Sequence, residues 1–400
     1  MVNMEIKRAD DLKPSSSSSV RSMRGFTIVE LLVVIVIIGI LAAITIVSYT
    51  GLAKKATEAS LVSGLDGAKK QLLLYQADHG YFPDHFNDNC PADSSDNIDS
   101  RYCLKPSSGG SYEYSSSSPK VYLLKYIKGD ISYMINDNSS PTVACPAGFI
   151  AVPGSATYGT SDFCVMKYEA KDNGSGLPVS KYDTNPWVNI SYDNSVTKSA
   201  AACSGCHLIS EAEWMTIAQN LTSVADNWSG GSVGSGYIYS GHNDDAPAYA
   251  LEASGDDGQG YYLETNTGGK QKRTLTLTNG EVIWDLAGNV YERTSGEIIG
   301  SQPGVIGISG YGWKEWSAVN NGVIPTVNPF PVNANALAST WNASSNGIGR
   351  LYSNIDETAD RTFVRGGDWN YGTPAGIYSL NLDGVHGGSG DSSIGFRVAK

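Results

Sequence analysis

The sequence predicts an α+β chain in three parts: a long N-terminal helix, a small sheet or stalk, and a large C-terminal domain of short strands and turns. Thr27–Val47 is a 21-residue apolar run broken by one charge, Glu30. At about 1.5 Å rise per residue, such a run can cross the hydrocarbon core of a bilayer. Leu52, Ala56, Ala59, Leu65, Ala68, Leu72 and Tyr75 then recur every three to four residues, which extends the span into one half-amphipathic helix ending near Gly80, before Pro83. All eight Trp lie between Trp187 and Trp369, where Gly and Asn are abundant and apolar runs are short. This places an irregular, turn-rich packed domain at 145–400. Four hundred residues leave room between helix and domain for a small module at 81–144.

Each part has its own local support. In the middle, Val121–Ile127 is the best strand in a Ser-, Asn- and Asp-rich stretch. In the C-terminal part, one helix is expected from Ser210: a Ser N-cap, Glu213 three residues later, and Trp214, Ile217 and Ala218 on one face.

Charge and cysteine content bound the function. A net charge of −12 argues against nucleic-acid binding, which rests on Lys and Arg displacing phosphate counterions. Six cysteines fit disulfides formed in an oxidising compartment. Six allow 15 pairings; proximity favours Cys90 with Cys103, Cys145 with Cys164, and Cys203 with Cys206. The last pair also has redox or metal-ligand spacing beside His207, with no second Cys/His pair to complete a metal site.

Ahead of the apolar run, Lys7, Arg8, Lys13, Arg21 and Arg24 outnumber Glu5, Asp10 and Asp11, so the N-terminus is expected in the cytoplasm and the remainder outside. Lys54 and Lys55 on the far side weaken that signal. The stretch Arg24-Gly25-Phe26-Thr27-Ile28-Val29-Glu30-Leu31-Leu32 resembles the type IV prepilin signal, and Leu74–Pro83 is similar to the end of a pilin helix. The resemblance implies that 1–25 is a leader, that a prepilin peptidase cuts after Gly25 and methylates Phe26, and that 26–80 packs against other pilin subunits in a fibre. A carboxylate in an apolar run is costly unless paired, and a neighbouring subunit's terminal amine would be the counter-charge of Glu30. The plainer alternative is a Glu30 side chain that snorkels to the membrane interface.

In the C-terminal part, Ile150–Gly154, His207–Trp214, Ile283–Glu292, Arg365–Trp369 and Ile394–Arg397 occur in an order that resembles the sulfatase-modifying, formylglycine-generating branch of the C-type lectin fold. Enzymes of that branch use a cysteine pair near the C-terminus to hold copper. Here no Cys follows Cys206, and Tyr371 and Gly376 stand about where the thiols would be. Neither is a soft sulfur ligand, so a binding module and no enzyme is expected.

The segment 365–397 resembles the variable regions of proteins diversified by retroelements, many of which use the lectin fold. The resemblance implies a fixed frame that includes Arg365-Gly366-Gly367, Trp369, Ala375-Gly376, Leu380, Leu382 and Ile394-Gly395-Phe396-Arg397. Ligand-contacting positions would be Asp368, Asn370, Tyr371, Thr373, Tyr378, Ser379, Asn381, Asp383, His386 and Asp391, with Tyr371 and Tyr378 as anchors. Tyr offers rigid amphipathic area, while Ser and Asn adapt their hydrogen bonds. The ligand would be a protein or glycan on another cell, a phage or a surface. No cofactor is required. Asp285 and Glu292, with the carbonyls of Gly288 and Val290, supply hard oxygens that resemble a structural calcium site of the family; the alternative is that both carboxylates make salt bridges while Trp284 and Tyr291 pack in the core.

Overall fold

The computed structural model describes residues 28–118, 121–129, 131–137, 139–253, 271–320, 342–385 and 390–400. One helix, Ile28–His79, opens the chain. Two compact units, Met1–Ala56 and Thr57–Lys400, divide within it. In the first, Leu32, Val33, Ile35, Val36, Ile37 and Ile38 are each half-exposed. Among the described residues no helix is long and apolar enough to cross a membrane. Gly25 and Phe26 lie outside the described residues, and so does the side chain of Glu30.

In the second unit, Leu61, Leu65, Ala68 and Leu72 from the end of this helix pack with Phe82, Leu104, Tyr122, Leu124, Tyr126, Tyr133 and Ile135. The partner surface is a four-stranded antiparallel sheet in the order Gly110–Ser118, Val121–Lys128, Ile131–Asn136, Thr142–Val143. The buried helical stripe continues to Tyr75, whereas Ala56 and Ala59, expected on it, are exposed. Alanine is small enough to lie on either face, so its recurrence alone does not fix a stripe. Close approach is set at Gly64, where a Cβ would come within 2.5 Å of the Tyr126 ring. The Tyr112 hydroxyl donates to the Gly64 carbonyl at 3.2 Å. Beside this layer the Cys90–Cys103 disulfide closes the loop that holds the short hairpin His85–Asn87 and Cys90–Ala92.

From Cys145 the described residues build two larger sheets and two two-stranded hairpins around a larger core. A four-stranded sheet runs His207–Leu208, Val398–Ala399, Phe163–Met166, Phe149–Val152, so the C-terminus returns to pair with the start of the domain. A six-stranded sheet runs Gly312–Lys314, Leu351–Ser353, Gly376–Gly384, Arg361–Gly366, Tyr291–Ile298, Ile394–Phe396. Helix Glu211–Thr222 covers the core with Trp214, Met215, Ile217 and Leu221, and it starts on the expected Ser210–Glu213 capping box. A second helix, Tyr192–Ala202, was not expected; Ser191 caps it, accepting from the Asn194 amide at 3.3 Å. Its polar sequence carries little apolar stripe, so periodicity does not reveal it. Disulfides Cys145–Cys164 and Cys203–Cys206 complete the near-neighbour pairing, and no cysteine among the described residues is free.

Candidate binding face of the C-terminal domain

The sequence motifs of this domain converge on buried ion pairs. Arg397 and Glu292, both fully buried, meet at 2.6 Å, and Arg397 also donates to the carbonyls of Met166 and Trp284, each at 2.8 Å. Burial pushes the Glu292 carboxyl up, against the pull of Arg397. Arg365 pairs with Glu211 at the start of the capped helix, and Thr294 donates its hydroxyl to the same carboxylate. Glu169 accepts from Asn289 Nδ2 at 2.8 Å and pairs with Lys171 at 3.4 Å. Burial drives that carboxyl up and that ammonium down. These contacts join strands of both sheets to the covering helix, and they account for the residue types in Ile283–Glu292, Arg365–Trp369 and Ile394–Arg397.

The expected calcium site does not fit this arrangement. Asp285 receives two hydrogen bonds from Arg273, Nε to Oδ1 at 2.7 Å and Nη2 to Oδ2 at 2.6 Å, and Glu292 is occupied by Arg397. A guanidinium seated on each carboxylate repels a dication and takes the lone pairs it would need. The Gly288 and Val290 carbonyls therefore have no free carboxylate beside them, and no cluster of three acidic, His or Cys ligands exists among the described residues. Trp284 and Tyr291 are buried in the core.

The ten expected ligand-contacting residues separate into groups. Asp368, Asn370, Tyr371 and Thr373 share the loop between strands Arg361–Gly366 and Gly376–Gly384, with Asn370, Tyr371 and Thr373 exposed. Tyr371 is a link in an aromatic chain. Its ring lies 5.5 Å from Tyr291 and 5.3 Å from Trp313, both edge-on, and Trp313 continues to Tyr352 at 5.0 Å. Asp368 is buried below, its Oδ1 accepting the Asn370 amide at 3.1 Å. Burial raises its carboxyl to about 6; the Asn370 and Ser393 hydrogen bonds oppose this, and the Asp391 and Asp245 carboxylates reinforce it. Asp391 thus lies near this loop, and half-buried Asn381 stands farther along strand Gly376–Gly384, between Val364 and Tyr352 of the neighbouring strands.

Three residues do not join this group. Tyr378 and Ser379 are buried in the main core because their strand is central in the six-stranded sheet, so Tyr378 is not a surface anchor. Asp383 sits at the opposite end of that strand, 3.2 Å from Arg361. His386 lies outside the described residues.

Next to the loop the structure opens a cavity of about 350 Å³. Thr373 and Gly372 line it from the loop, Ser240, Asn243 and Asp244 from a preceding turn, and Gln271 and Arg350 from elsewhere in the chain. Asn243 is the joint: its carbonyl accepts the Gly372 amide at 2.8 Å, its Nδ2 donates to Ser240 Oγ at 2.6 Å, and its Oδ1 accepts from Gln271 at 3.1 Å. Apart from Thr373, no polar wall residue was singled out from sequence. They are ordinary turn residues by type, brought to Thr373 across up to 133 positions, and no local pattern announces them.

Comparison with known proteins finds a match at the N-terminus. Residues 20–46 fit the family model "Prokaryotic N-terminal methylation motif". The chain is 38% identical over 63 residues to the type II secretion system core protein G of Dickeya chrysanthemi, covering 16% of this chain and 41% of that protein. The same protein from Klebsiella michiganensis matches at 38% over 63 residues, covering 16% and 44%, and that of Escherichia coli at 38% over 60 residues, covering 15% and 41%. The chain thus spans about two fifths of the length of the curated relatives it matches. Among solved structures, PvdO from Pseudomonas aeruginosa aligns at 14% identity over 65% of this chain and 93% of that one. Its TM-score is 0.28, too low to carry an argument about fold. The N-terminus of the chain is type IV pilin-like.

Proposed function

We propose that this chain is a minor or tip subunit of a type IV pilus-like fibre and carries its C-terminal domain outward as a recognition module. The observation that carries the proposal is the methylation motif at 20–46, most of which forms the start of a single 52-residue helix, Ile28–His79. A peptidase would cut after Gly25 and methylate Phe26, and Glu30 would set register by pairing with a neighbour's new amine. The subunit would wait in the cytoplasmic membrane, N-terminus inside, before joining other pilins in an extracellular fibre. Disulfides in all of its globular parts suit that destination.

The displayed domain is read as a C-type-lectin-like fold that binds a protein or glycan through the 368–373 loop and its surroundings. The order of its motifs supports this, together with an exposed loop held on a rigid lattice of buried pairs. Exposed loops on rigid scaffolds are where binding residues concentrate. Recognition is favoured over oxidase chemistry because no thiol pair follows Cys206. Diversification of 365–397 by a retroelement is part of this reading, and a reverse transcriptase gene with an adenine-rich near-copy of that segment would support it.

A second reading has an observation of its own: the relatives are named core proteins, which favours a repeating subunit whose large domain coats the fibre. Subunit stoichiometry in sheared, purified filaments separates the two. A few copies per fibre, with loss of target adhesion on deletion of 145–400, supports recognition. Stoichiometric incorporation with unchanged adhesion supports the coat.

A further inference from the structure

We infer that the cavity beside Thr373 is a calcium-independent site for one or two rings of a neutral sugar. The inference rests on the reading of the C-terminal domain as a recognition module and gives that module a ligand class. At about 350 Å³ the cavity is at the small end of ligand pockets, which run from about 300 to 1,000 Å³. It suits a compact ring better than an extended peptide.

Its polar wall is chemically specific. Ser240 and Thr373 contribute hydroxyls, and Asn243 and Gln271 contribute amides; each such group both donates and accepts. Adjacent hydroxyls of a pyranose need partners of that kind, because each hydroxyl also does both. Asp244 adds a strong acceptor. The wall is also fixed in advance, since Asn243 is bonded to Ser240, Gln271 and Gly372 before any ligand enters. Preorganised groups lose less freedom on binding.

Charge selects against acidic ligands. Arg350 is the one cation among the described residues that line the cavity, and it is already committed: Nε donates to Glu315 Oε1 at 2.9 Å and Nη2 lies 2.8 Å from the same oxygen. With Arg350 held by Glu315, the cavity offers no uncommitted cation to an acidic ligand, and Asp244, which accepts the Ala246 amide at 3.2 Å and lies 3.5 Å from His242 Nδ1, places a carboxylate in the wall that disfavours phosphates, uronic acids and sialic acids. Ile238, Ala343 and Ala375, each almost fully buried, join the lining with Tyr237, Ser344 and Gly347. The three apolar residues expose too little area to anchor a large hydrophobic side chain. No metal is needed for any of these contacts.

The test is titration calorimetry and saturation-transfer NMR on the full-length protein in a detergent without a sugar headgroup. The probes are mannose, galactose, glucose, N-acetylglucosamine and N-acetylgalactosamine at millimolar concentration, with glucuronic and N-acetylneuraminic acid as acidic comparators, each with and without EDTA. A neutral sugar is expected to bind equally with EDTA. Thr373→Val and Asp244→Asn should each weaken it about tenfold, the worth of one good hydrogen bond to a charged or well-placed group. Asp360→Asn, exposed and not among the lining residues, should bind like the parent and serves as the folding control. Preference for the acidic sugars, loss of binding with EDTA, unchanged affinity in both cavity variants, or no binding by any neutral sugar each overturns the inference. If these occur while filaments still adhere through the C-terminal domain, recognition stands and only the sugar assignment falls. If deleting 145–400 leaves adhesion unchanged, the recognition reading itself falls.

Discussion

The guanidinium of Arg397, three residues before Lys400, is bound at 2.6 Å to the carboxylate of Glu292 in the middle of the domain, both without solvent contact. The pair ties the last strands to the six-stranded sheet, through the Met166 carbonyl to the four-stranded sheet, and through the Trp284 carbonyl to the hairpin Thr274–Thr276 and Val282–Trp284. Removing one partner leaves a buried, uncompensated charge. Arg397→Met is therefore expected to cost about 3–5 kcal/mol in denaturant unfolding of the C-terminal domain. The double variant Arg397→Met/Glu292→Leu should recover a large part of the loss.

Helix-to-sheet packing in the small module makes a paired prediction at two glycines. A Cβ at Gly64 would meet the Tyr126 ring at 2.5 Å, whereas at Gly67 it would meet nothing within 4 Å. Gly64→Ala should destabilise the module by about 1–3 kcal/mol through overpacking. Gly67→Ala should stabilise the same helix by up to about 1 kcal/mol. Thermal melts followed by circular dichroism would compare the two.

Asp368 predicts a dependence on pH. Its carboxyl is held at about 6 in the folded chain, against an ordinary value of about 4 when unfolded. The folded state therefore binds the proton more tightly, and the cost of burying the charge is complete above pH 6 and disappears as pH falls towards 4. Over that window this residue makes the domain more stable with acidification, by about 3 kcal/mol at most. Asp368→Asn should remove that slope and raise stability at pH 7, as read from urea midpoints across pH 4–8.

The Cys90–Cys103 bond spans 13 residues beside a thin core. Replacing both cysteines with Ser should cost the small module about 3 kcal/mol. The same change at Cys203 and Cys206, three residues apart, should cost less because the closed loop is shorter. Limited proteolysis within 81–144 reports the first effect.

Much of the scaffold was legible because it follows from local rules. Leu65, Ala68 and Leu72 face the sheet as their spacing requires, Tyr75 continues the buried stripe against Tyr81 and Tyr102, and Ser210 with Glu213 caps its helix. The binding face was legible only in part. Tyr378 and Ser379 were read as surface residues, but a central strand covered on both faces buries successive positions instead of alternating them. Asp285 and Glu292 have the oxygens of a cation site, yet their partners Arg273 and Arg397 stand 12 and 105 residues away, and composition gives no sign of that pairing. The cavity is harder still, because Asn243, Gln271, Arg350 and Thr373 meet only through the tertiary fold.

The central claim is that this chain is processed and assembled as a pilin-type subunit. Mass spectrometry of the N-terminal peptide, from filaments sheared off cells that carry an active prepilin peptidase, tests it most directly. The account predicts a chain that begins at Phe26 with one added methyl group on its amine. An intact 1–25 leader on the cellular protein, together with its absence from the filament fraction, would contradict it.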